Sequence, residues 1–122
     1  MKQKTSLQIS FFLLAISVAL GAIGAHLLEK SLTPKNLDTF NTGVKYLTYH
    51  SIALLLISTN EKIFAHLHFA RKFIYLGIFF FTGNCIAYSL TSIKMFAMLV
   101  PIGGIAFITA WLFAIYEVKN FK

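Results

Sequence analysis

Charge is scarce in this chain, and so are cysteine, proline and acid. Only 12% of its 122 residues are charged, four of them acidic, against 57% apolar and 16% aromatic. A soluble domain of this size carries about 25% charged residues, so this one could not cover its own surface in water. The single cysteine, Cys85, lies in an apolar run and excludes an intramolecular disulfide. With so few acids, no carboxylate pair falls inside an apolar run. No Ser-His-Asp or Cys-His set can be assembled either, and no phosphate-binding glycine loop is present. The expectation is a protein that is not an enzyme and that needs no cofactor or metal.

What is present is a set of long apolar runs. Thr5 to Leu28 gives 24 residues without Asp, Glu, Lys or Arg, Phe73 to Ile93 gives 21 and Met95 to Tyr116 gives 22. Each can cross a hydrocarbon core, which takes about 20 helical residues. Tyr46 to Asn60 gives only 15 and spans if Lys45 and Lys62 snorkel to the two interfaces. The runs are continuous and lack the period-two alternation of barrel strands. The fold expected is an all-α membrane protein: four transmembrane helices in a compact bundle, forming a single membrane domain over residues 1-122. The spans fall at about 6-28, 44-60, 72-93 and 95-117.

Between the first two spans, Thr33-Pro34 is a helix start, because the hydroxyl accepts an early N–H and proline has none to orphan. Leu37, Phe40, Val44 and Leu47 recur at helical spacing. A short amphipathic interfacial helix over about 34-43 is expected, with a break at Gly43; one long helix from Pro34 to about Thr59 is the alternative. The net charge of +7 is distributed as punctuation between apolar runs. It points to a lipid bilayer and not to nucleic acid as the partner. Placing both termini in the cytoplasm puts seven of the basic residues near the spans inside and four outside, which favours that orientation. A cleaved signal peptide is the rival reading of the first run, with Ala19-Leu20-Gly21 as the cleavage site.

Lipid tails offer no drive for apolar helices to associate, so small residues that let backbones approach, and interhelical hydrogen bonds, must hold such a bundle. Ser17, Gly21 and Ala25 recur at intervals of four in the first span. Gly103, Ala106, Ala110 and Ala114 line one face of the last, and Pro101 should loosen its backbone. Polar groups inside spans are the default functional candidates. Tyr46, Tyr49 and His50 share a face by i, i+3, i+4 spacing. Taking Leu28 and Lys45 as markers of one interface, His26 and His50 differ in depth by roughly 5 Å. Three readings of these histidines compete: a structural hydrogen-bond cluster of His26, Tyr46, Tyr49 and His50 fastening the outer ends of the first two spans, a proton- or solute-responsive site of a small transporter or channel subunit, and axial ligation of a haem or metal. The structural cluster is preferred, since the spans contain no carboxylate and too few histidines for the last. His66 and His68, two apart and beside Arg71 and Lys72, suit a basic interface better than a chelate.

GAIGAH, TFNTGVKYLTYHSIALLL, GIFFFTGNCIAYSL and PIGGIAFITAWL, in that order, resemble the signatures of the YgdD/YwdK family of small bacterial membrane proteins (domain of unknown function family 423), from about Ala19 to about Trp111. The resemblance implies a multi-pass protein of the bacterial plasma (inner) membrane with about four spans. It also implies that the first run is retained. Carried onto this sequence, the pattern highlights Gly21, Gly24, Ala25 and His26, then Phe40, Gly43, Tyr46, Tyr49 and His50, then Gly77 and Gly83, then Pro101, Gly103 and Gly104. The glycines and Ala25 are expected to serve helix packing. Two positions depart from the pattern: Lys45 stands where an arginine is more usual, and Asn84 where a small hydroxyl residue is. Lysine keeps the charge but lacks the bidentate fork. The family supplies no activity to transfer.

Overall fold

The computed structural model describes all 122 residues and is entirely helical. Helix α1 runs Gln3–Leu28 and closes in a π turn over Gly24–Leu28. Helix α2 is Pro34–Thr59, and a short α3, Glu61–His66, leads into α4, His68–Thr91, which carries a π segment at Ile78–Thr82. Helix α5 is Lys94–Val118 and continues through Pro101 without interruption. Three of these, α1, α4 and α5, are long and apolar enough to cross a membrane. They coincide closely with the three longest charge-free runs. Helix α2 is as long but less apolar, because Lys35, Asp38 and Lys45 interrupt it.

The helix start at Thr33 forms as expected: the Asn36 N–H donates to Thr33 Oγ1 at 3.2 Å, with Pro34 in the first turn. The separate interfacial helix and the break at Gly43 do not form. Gly43 lies in unbroken helix and is buried. Its missing side chain admits α4 instead, since a Cβ there would stand 2.7 Å from that of Cys85, and Thr82 Oγ1 donates to the Gly43 carbonyl at 2.9 Å.

Helix α1 packs along α2, α4 packs along α5, and α2 lies against the second half of α4. The α1–α2 pair is antiparallel: Ser6 meets Ser58 at one end, while Gly21 faces Val44 and Gly24 faces Phe40 toward the other. Helix α4 meets α5 in the same sense, with Phe69 beside Phe113, Gly77 under Phe107 and Phe81 on Gly103. An apolar core of Leu54, Ile57, Leu67, Ala70, Ile74 and Ala110 fills the half of the bundle that holds the termini. At the other half, Asn36 Nδ2 donates to the Ser89 carbonyl at 3.2 Å and to Ser92 Oγ at 2.8 Å, tying the start of α2 to the end of α4.

The packing positions fall into two groups. Gly24, Gly77 and Gly103 are tight: a Cβ on Gly103 would collide with the backbone of Phe81, and one on Gly77 with the ring of Phe107. Gly21 and Gly104 make ordinary contact, at 4.0 Å from Val44 and 3.9 Å from Phe81. Ala25 and Gly83 do not serve packing. Ala25 is exposed, and a Cβ on Gly83 would meet nothing within 4 Å. The inner face of α1 turns on Ser6, Ser10, Ser17 and Gly24, so the interval-of-four extrapolation from Ser17 leaves that face by Ala25.

Candidate functional site

His50 is the best-braced polar group in the interior. Its residue is only 4% exposed. It faces α5, one turn beyond Tyr46 on α2. Nδ1 lies 2.8 Å from the Tyr46 carbonyl, and Trp111 Nε1 donates to Nε2 at 3.1 Å. An indole N–H can only donate and a carbonyl can only accept, so the two partners together fix the neutral tautomer with the proton on Nδ1. Both ring nitrogens are therefore engaged within the protein. A proton added at Nε2 would point one N–H at another.

Rings complete the surroundings. Phe107 lies nearly parallel to the imidazole with centroids 3.6 Å apart, and the Cδ1–Cε1 edge of its ring occupies the space left by Gly77. One phenyl group thus joins α5 to both α2 and α4. Tyr46 packs on Phe81 at 4.9 Å and lies 6.2 Å from His50, and Phe81 reaches Phe107 at 5.6 Å. A cavity of about 260 Å³ lies over this group, lined by Tyr46, His50, Phe81, Gly104, Phe107, Ile108 and Trp111. Among the lining side chains, the imidazole and the indole are already bonded within the protein, which leaves the Tyr46 hydroxyl.

The four expected cluster residues do not come together. Tyr46 and His50 belong to the site, and Tyr49 sits at its rim, 55% exposed and edge-on to Tyr46 at 5.9 Å. His26 is exposed on the π turn of α1 and shares no partner with His50. The depth comparison fails because Lys45 does not mark the end of a helix. Helix α2 begins eleven residues earlier, at Pro34, so His50 lies about 24 Å along an axis of about 39 Å. In the α1–α2 register, His26 stands near the start of α2. The histidine consequently fastens α2 to α5 near mid-bundle and leaves α1 free, which corrects the expected first-to-second-helix clasp.

Two contributors were missed. One is Trp111; its indole N–H, which needs an acceptor in an apolar span, is the signal that points to it. The second lies at the start of α1. Ser6 and Ser58 share a 2.7 Å hydrogen bond, Gln3 Nε2 donates to the Ser58 carbonyl at 2.8 Å, and Tyr75 OH reaches Ser6 Oγ at 3.1 Å. This knot joins α1 to α2 and α4.

The same sequence carries a match, over residues 20–104, to the family described as "Protein of unknown function (DUF423)". The chain is 34% identical over 107 residues to a UPF0382 membrane protein of Staphylococcus haemolyticus, covering 87% of this chain and 88% of that one. It is 31% identical over 98 residues to the UPF0382 inner membrane protein YgdD of Escherichia coli K12, covering 79% and 75%. To the UPF0382 membrane protein YwdK of Bacillus subtilis it is 34% identical over 100 residues, covering 80% and 81%. No solved structure matches it.

Proposed function

The chain belongs to this DUF423 family of membrane proteins, and from that premise we propose that it is a four-span, non-catalytic structural or accessory protein of the bacterial plasma membrane. Its polar interior braces helices and does not process a substrate. The observation that carries this reading is His50, the interior group best suited to chemistry, with both ring nitrogens bonded inside the fold. Several other polar groups along the helices are also satisfied inside the fold, although Ser51 Oγ is buried without a partner. Ser10, Ser17, Thr48, Asn84 and Ser89 each bond a carbonyl of their own helix, which satisfies the hydroxyl or amide without water.

The fourth span is α2. It is antiparallel to α1 and reaches both ends of the bundle, with Asn36 at one end bonded to Ser92 and Ser58 at the other bonded to Ser6. A helix so placed crosses whatever layer α1 crosses, and Lys45, exposed on its flank, snorkels toward the headgroups. Excess positive charge puts both termini in the cytoplasm.

Two measurements test the proposal. In a Cys85→Ser background, Ser31→Cys is expected to react with an impermeant maleimide from outside whole cells and Lys62→Cys only after lysis. Labelling of both from one side would remove α2 as a span. The folded protein in liposomes holding a pH dye is expected to give no flux above empty vesicles. A proton flux that His50→Ala abolishes would replace the structural reading with the transport one.

A further inference from the structure

The start of α4 carries a second polar feature that the bracing of the bundle does not use. Arg71 is only 7% exposed. Its guanidinium lies 3.7 Å above the Phe64 ring, and Nε donates to the Phe64 carbonyl at 3.1 Å. The two terminal nitrogens donate to no protein atom. The natural counter-ion, Glu117, is committed elsewhere: its Oε1 accepts from the Phe69 N–H at 2.6 Å, capping α4 from α5, and no ion pair with Arg71 forms. Glu117 Oε2 is itself buried and unpartnered.

Arg71 lines a cavity of about 230 Å³ with Met1, His68, Lys72 and Tyr75. No acid is among the lining residues. Two fixed cations, the chain's N-terminal residue, an imidazole and a phenol thus converge on one opening. A buried guanidinium with its fork unfilled seeks a planar or tetrahedral oxyanion, which it binds through two parallel N–H donors.

The surroundings say which oxyanion. The cavity lies where α4 meets the start of α1, at the Tyr75–Ser6 bond. One turn further along α4, at Ile78, an apolar cleft of about 520 Å³ opens between α4 and α1, lined on α1 by Leu13, Ile16 and Leu20. A cationic pocket one turn from an apolar cleft matches an amphiphile with an anionic head. We propose that the Arg71 cavity binds the phosphate group of an anionic phospholipid, whose acyl chains extend toward the cleft between α1 and α4.

Native mass spectrometry of the full chain in a neutral detergent tests this, with phosphatidylglycerol, phosphatidylcholine and inorganic phosphate as separate probes. Phosphatidylglycerol is expected to be retained at least about fivefold more tightly than phosphatidylcholine, and inorganic phosphate is expected neither to bind nor to displace it. Arg71→Gln should weaken phosphatidylglycerol retention about tenfold and Lys72→Gln about fivefold, while Lys122→Gln leaves it unchanged. Lys72 is exposed and outside the core, so its variant reports even if Arg71→Gln does not fold. Equal retention of the two lipids, or undiminished retention by folded Lys72→Gln, would overturn the site. Binding of inorganic phosphate in place of lipid would overturn the lipid assignment.

Discussion

The α1–α2 and α4–α5 seams solve the same problem with opposite chemistry. Along α1 the inward positions are Ser6, Ser10, Ser17 and Gly24, and α2 answers with Ser58, Leu54, Leu47 and Phe40. Small residues on one helix accept large ones on the other, and a hydroxyl pair pins one end. Along α4 and α5 the fit is reciprocal: Phe107 of α5 fills the space at Gly77 of α4, while Gly103 of α5 receives the backbone of Phe81 of α4. Since lipid gives no hydrophobic reward for helix contact, close packing must supply the attraction, and glycine provides it by removing a side chain. The serine seam adds hydrogen bonds of modest strength. The aromatic seam adds a ring that reaches His50 on a third helix.

The widest gap between the seams should open at Gly103. The atoms that a Cβ would meet there belong to the Phe81 backbone, which cannot rotate aside. Gly103→Ala is expected to cost about 3 kcal/mol or more, by overpacking two backbones. Thermal unfolding of the detergent-purified protein checks it. A melting temperature within a degree of wild type would show that the α4–α5 seam is looser than its geometry. Gly77→Ala should cost less, because a phenyl ring can shift where a backbone cannot.

The link from the aromatic seam to α2 comes next. Trp111→Phe leaves His50 without its donor, and His50→Ala leaves the indole N–H without its acceptor. Each is expected to cost about 1–2 kcal/mol, with a coupling of about 1 kcal/mol in the double-mutant cycle. Strict additivity would mean that the 3.1 Å contact contributes nothing to stability. His26→Ala combined with His50→Ala should by contrast be additive, since the two histidines share no partner.

On the serine seam, Ser6→Ala removes bonds to Ser58 Oγ and Tyr75 OH at once. Hydroxyl bonds within membranes average about 0.6 kcal/mol, so about 1 kcal/mol is expected for this substitution. A loss equal to that of Gly103→Ala would erase the distinction between seams.

The three apolar helices were legible because lipid demands continuous uncharged length, and charge placement alone marks it. The cap at Thr33 and Pro34 was legible for an equally local reason. Helix α2 was legible only as the alternative of one long helix from Pro34 to about Thr59, which is the one that forms; the expected interface at Lys45 fails because a lysine on an exposed flank can sit well inside a helix and reach outward with its stem. That error moved His50 by several turns and paired it with His26. The π segment of α4 shifts the helical phase, so the face before Ile78 is not the face after Thr82. The Gly83 N–H bonds five residues back to Ile78, and Asn84 Nδ2 takes the Phe80 carbonyl at 2.6 Å. A hydroxyl residue at position 84 could donate to the same carbonyl, as Ser10 and Thr48 do to carbonyls four residues back, so the asparagine preserves that bond.

Gly83 and His26 give the smallest expected effects, and they test how sharply contact divides the glycines and histidines. A methyl group at Gly83 meets nothing within 4 Å, so only backbone propensity remains. Gly83→Ala should therefore stabilise the protein by up to about 1 kcal/mol, the helix-interior difference between the two residues. The same Gly-to-Ala change thus has opposite signs at positions 83 and 103. His26→Ala, at an exposed position, should fall within about 0.5 kcal/mol of wild type. The two melting temperatures check both. A clear loss at Gly83 would mean that the open side of α4 is occupied by something that also needs a flat backbone there, such as a second helix.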